Sequence, residues 1–135
     1  MRPLAPLTRV ALSTLLLALL LVGCAQNEPE FSVSDLPPGD PARGAEIFTE
    51  PPGGASCAHC HPLDGERSVG PPLTGYAARA AGEVSGQSAE EYTFDAILRP
   101  SKHVVRGYSN MMPGSYEDAL TRQDIADLIA YLLSR

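Results

Sequence analysis

Residues 57–61 read Cys-Ala-His-Cys-His, and no other stretch restricts so tightly what this chain can fold into. Two thiols and an imidazole fall within five consecutive residues, so one turn of backbone must present all three to the same place. A structural disulfide is a poor use of the pair, because a bond between residues three apart closes almost no loop. A thioredoxin-like redox pair requires a βαβ setting, and no strand-like alternation is visible in the sequence. A zinc centre requires four ligands. Cys57, Cys60, His61 and either His59 or His103 make four, but no second ligand pair stands at zinc-finger spacing.

The pattern C-x-x-C-H is also the attachment site of c-type haem. Two thiols add to the two vinyl groups on one side of the porphyrin, and the imidazole directly after the second thiol meets the iron. With three Cys and three His in 135 residues, a chance match anywhere is expected roughly once in a thousand such chains. The expectation is one haem c, held through Cys57 and Cys60 with His61 as proximal ligand. His59, a spacer inside the motif, should face away from the iron. A second axial ligand should come from a loop well downstream, and His plus Met raises the potential relative to two nitrogens. Met111 and Met112, followed by Pro113, lie in such a stretch and are the only Met after Met1. At most one of them ligates. His103, expected as a surface His, is the obvious substitute. Fixed axial ligands imply a single-electron carrier with no small-molecule substrate. An open or labile sixth position implies a haem enzyme or a redox or gas sensor.

The rest of the chain reads as all-α, with three to five short helices and long loops. Asp40 caps a helix opening at Pro41 and running to about Thr49, where Pro51-Pro52-Gly53-Gly54 stops it. Leu73–Ala81 reads as a short helix and 82–87 as loop. Ser88 with Glu91 forms a capping box for a helix reaching about Arg99, ahead of Pro100. Residues 100–115 read as an extended loop. Thr121 and Asp124 cap a last helix in which Ile125, Leu128, Ile129, Leu132 and Leu133 form one apolar stripe. Loops this long are unusual in a small domain unless something packs against them.

Residues 1–23 read as a signal peptide, with Arg2 and Arg9 ahead of an apolar run that is short for a membrane span. The run ends in Leu21-Val22-Gly23-Cys24, which resembles the lipobox of bacterial lipoproteins. Cys24 is therefore the expected lipidation site, and the exported protein is expected to be anchored to a membrane, facing the periplasm or the cell exterior. Residues 24–40, Pro-rich and acidic, read as a flexible tether, and 41–135 as the domain. Both basic residues of the leader leave with it, so the remainder carries eight Lys and Arg against sixteen Asp and Glu. That balance excludes nucleic acid, whose binding depends on neutralising phosphates, and suits docking to a basic partner.

Taken together, Gly44 with Phe48, the Cys57–Cys60–His61 motif, Gly70-Pro71-Pro72-Leu73-Thr74-Gly75, the Tyr108–Pro113 segment, and Leu128 with Tyr131 resemble a class I cytochrome c. The resemblance spans roughly 41–134. It implies the cytochrome c fold, with the first and last helices crossing near Gly44. It implies that the Pro71 carbonyl accepts a hydrogen bond from His61, and that Met112 rather than Met111 is the ligand, because the ligand commonly precedes Pro. It places Tyr108 at the haem, near a propionate or the Met, and leaves Arg99, Lys102 and Arg106 as candidate propionate partners. A narrower likeness is to cytochrome domains of oxidase subunit II and to lipoprotein cytochromes of respiratory or photosynthetic complexes. The partners implied are redox proteins of such a complex.

Overall fold

The computed structural model describes residues 31–135. The expected signal segment 1–23, the lipidation site Cys24 and residues 25–30 lie outside the described residues. Five α-helices and no strands form among the described residues, as the sequence reading expects.

Helix α1 spans Pro41–Thr49. The Asp40 carboxylate accepts from the Ala42 and Arg43 amides at 2.9 and 3.4 Å, satisfying donors that have no partner within the helix. Helix α2 spans Tyr76–Glu83, three residues later than expected. A helix from Leu73 would have to run through Gly75, whose φ of +63° is left-handed and not helical, so α2 opens only after it. Helix α3, Ala89–Leu98, opens on the Ser88–Glu91 capping box and stops before Pro100. Helix α4, Tyr116–Ala119, is a single turn that sequence periodicity does not reveal. Helix α5, Arg122–Leu133, opens on the Thr121–Asp124 box.

Helices α1 and α5 form the frame. A Cβ on Gly44 would lie 2.0 Å from the Asp127 carbonyl oxygen, so only glycine permits this crossing. Next to it the Phe48 and Tyr131 rings pack at 5.5 Å between centroids. The apolar stripe of α5 is buried from Ile125 to Leu132. Arg43 on α1 pairs with both Asp124 and Asp127 on α5, and the Asp40 amide donates to Asp127 at 2.7 Å. Burial pushes both carboxyls up. Their hydrogen bonds, from Thr121 to Asp124 and from Asp40 and Gln123 to Asp127, together with Arg43, hold them below the ordinary range. Helix α3 lies against α2 and α5, and the Tyr76 and Thr93 hydroxyls meet at 3.0 Å.

The stretch expected as a tether is packed over its second half. Phe31 stands edge-on to Phe94 at 5.4 Å, beneath the Arg122 guanidinium. Val33 and Leu36 also pack against the core. Three apolar side chains in an otherwise polar run are enough to dock residues 31–36. No helix among the described residues is long and apolar enough to cross a membrane.

Candidate functional site

The loops that lack secondary structure surround a cavity of about 300 Å³. Cys57, Cys60, His61, Met111 and Met112 all line it. A 3-10 turn over Cys57–His59 presents the two thiols. Cys60 and His61 both donate their amides to the Cys57 carbonyl, at 3.1 and 2.9 Å. That turn brings both thiols to the cavity, where they stand unbonded to each other.

Burial pushes the Cys57 thiol up. A thioredoxin-like dithiol needs a βαβ setting, and no strand forms among the described residues, so that reading fails. The zinc reading fails on geometry, because among the described residues no three His, Cys, Asp or Glu converge on a metal position. His59 is exposed and does not line the cavity.

Residues 60–63 are laced to 70–74. Gly70 N–H donates to the Cys60 carbonyl at 2.9 Å, and the Thr74 hydroxyl to the Leu63 carbonyl at 2.7 Å. A Cβ on Gly70 would sit 2.5 Å from His61 Cε1, so glycine is required for the imidazole to lie against this segment. The His61 Nδ1 then stands 3.0 Å from the Pro71 carbonyl oxygen. A carbonyl only accepts, so Nδ1 carries the proton and donates, and Nε2 retains its lone pair.

Of the two Met that line the cavity, Met112 is half-buried and packed against the core, while Met111 is 68% exposed. Tyr108 lines the cavity and is half-buried. His103, expected at the surface, is exposed yet also borders the cavity, edge-on to Tyr92 at 5.8 Å. Its Nε2 lies 3.0 Å from the Glu83 carboxylate, which occupies the nitrogen a ligand would use. Arg99 and Lys102 both pair with Asp95. Among the described residues no Lys or Arg lines it.

Two aromatic residues escaped the sequence reading. Tyr116 is buried and donates its hydroxyl to the Ala55 carbonyl at 2.9 Å, fixing the strand of loop that leads into Cys57. Tyr92 forms part of the cavity wall, and burial pushes its phenol up to about 12. Neither sits in a motif or a periodic stripe, so no sequence signal identifies them.

An apolar cleft with two thiols, a lone-pair imidazole nitrogen and a thioether on its walls fits an iron porphyrin. The donors are of the right kind, and the cavity volume lies at the lower end of cofactor sites.

Comparison with known proteins agrees with that fit. The family model described as cytochrome c matches residues 41–135. A cytochrome c from Tetrahymena pyriformis is 34% identical over 119 residues, covering 80% of this chain and 97% of that protein. One from Ulva intestinalis is 29% identical over 116 residues, covering 73% and 93%.

Proposed function

The chain belongs to the cytochrome c family, so it is an electron carrier with covalent haem and not an enzyme, and on that premise we propose a membrane-tethered monohaem carrier with His61 and Met112 as axial ligands. The observation that carries the ligand assignment is that His61 and Met112 border one cavity while Met111 is mostly exposed.

Bound haem c supplies reversible one-electron iron chemistry. The chain's own residues do the rest. Cys57 and Cys60 hold the group by thioethers, so that an exported protein keeps it. His61 presents Nε2, and the Pro71 carbonyl orients the imidazole and strengthens it as a donor. Met112 would supply the thioether ligand, so that no coordination position would be left for a substrate. Tyr108, Tyr116 and the apolar walls exclude water, which sets the potential. Lipid on Cys24 holds the domain near a membrane respiratory or photosynthetic complex, raising its effective concentration there. The acidic surface favours a basic docking face on that partner.

The test is spectroscopic and cellular. Oxidised protein should show the near-infrared charge-transfer band of a Met-ligated ferric haem. Met112→Ala should abolish it and Met111→Ala should leave it; the reverse pattern would reassign the ligand. Cys24→Ser should move the protein from the membrane to the soluble fraction with its spectrum intact. Unchanged membrane association would refute the lipid anchor.

A further inference from the structure

We propose that Arg67 is a positioning residue, a clasp that ties the segment carrying the proximal ligand to the segment carrying the distal one and holds Met112 in place. The inference rests on the axial assignment above. Arg67 lies between His61 and Gly70, in the exposed loop on the proximal side. Its Nη2 donates to the Gly107 carbonyl at 2.5 Å. Its guanidinium also stacks 4.6 Å above the Tyr108 ring. Both partners lie four or five residues before Met112 in the loop 100–115.

That loop has little else to hold it. Lys102 and His103 anchor its beginning, to Asp95 on α3 and Glu83 on α2. From Val104 to Ser115, the hydrogen bonds found among the described residues are internal, Tyr108 N–H to the Val105 carbonyl and Met111 N–H to the Ser109 carbonyl, apart from the one Arg67 makes. The geometry is built for it. Gly107 adopts φ +90°, a conformation that other residues rarely take, and its carbonyl accepts from Arg67. The guanidinium is planar, so one group can donate to the carbonyl and lie flat on the phenol ring; an ammonium can do only the first well. Segments with few anchoring contacts open locally far more often than the whole domain unfolds. A clasp at the base of the Met112 turn therefore governs how often the thioether leaves its place.

The experiment measures ligand replacement in the holoprotein. Imidazole added to oxidised protein displaces the Met, and loss of the near-infrared band reports the rate. Arg67→Ala should raise the opening-limited rate by about three- to tenfold, the size expected for an exposed cation–π contact with one hydrogen bond. Arg67→Lys should fall between Arg67→Ala and the parent. Tyr108→Leu combined with Arg67→Ala should be less than multiplicative, because the two single changes remove one contact. Amide exchange of residues 104–112 should quicken in Arg67→Ala while α1 and α5 stay protected. Parent-like imidazole kinetics in Arg67→Ala, or Arg67→Lys no different from Arg67→Ala, would overturn the clasp. A parent protein with no Met-ligated band would instead overturn the axial assignment beneath it, so the two failures are distinguishable.

Discussion

Gly70 is glycine because the imidazole of His61 occupies the space a side chain would need. With a Cβ 2.5 Å from that ring, Gly70→Ala should turn the imidazole away from the Pro71 carbonyl. The expected outcome is a lowered yield of haem-loaded protein and a shifted reduction potential in what is recovered, measured by absorption and potentiometric titration. A parent-like potential would mean that the 60–63 and 70–74 segments yield without disturbing His61. The candidate site residues were legible because each has a chemical signature: thiols at fixed spacing, an adjacent imidazole, a Gly-Pro-Pro turn, a Met before Pro. Tyr116 was not legible. Its work is to hold the Ala55 carbonyl across 61 residues of chain, and nothing local announces a long-range hydrogen bond.

At the scale of the elements, the crossing of α1 and α5 carries most of the frame. Gly44→Ala drives a Cβ into the Asp127 backbone and should cost about 3 kcal/mol, a fall in Tm on the order of 10–20 °C for a domain this size, read by circular dichroism. The carboxyls of Asp124 and Asp127 add a pH dependence. Their folded pKa values lie below the unfolded ones. Their contribution is therefore complete above about pH 4 and is lost as pH falls through that range. Asp127→Asn keeps the shape but not the charge, and should lower Tm at pH 7 by more than at pH 3. Equal loss at both pH values would mean that Arg43 contributes nothing through Asp127. Capped helices were readable to within a residue, because caps and apolar stripes are local. The start of α2 was misplaced because Gly75 takes a left-handed φ of +63° that interrupts any helix from Leu73, and the docked segment 31–40 was missed because its three apolar side chains have no period.

For the molecule as a whole, the cavity explains a core that is otherwise thin. The chain has no Trp and three Phe, yet its loops enclose about 300 Å³. The cavity walls are largely apolar side chains, so a bound porphyrin would add the apolar contacts that the core otherwise lacks. Cys57→Ser combined with Cys60→Ser should leave a chain that retains part of its helix signal and loses its near-ultraviolet dichroism. A sharp, cooperative melt at the parent temperature would show that the polypeptide alone supplies the stability.

Covalent attachment through the two thiols is the claim beneath all of this, and intact mass with an absorption spectrum tests it directly. Protein made in a host that assembles c-type haem should carry the mass of one haem beyond that of the processed polypeptide and its lipid on Cys24, and the cofactor should stay with the chain after denaturation. A colourless protein at its unmodified peptide mass would contradict it.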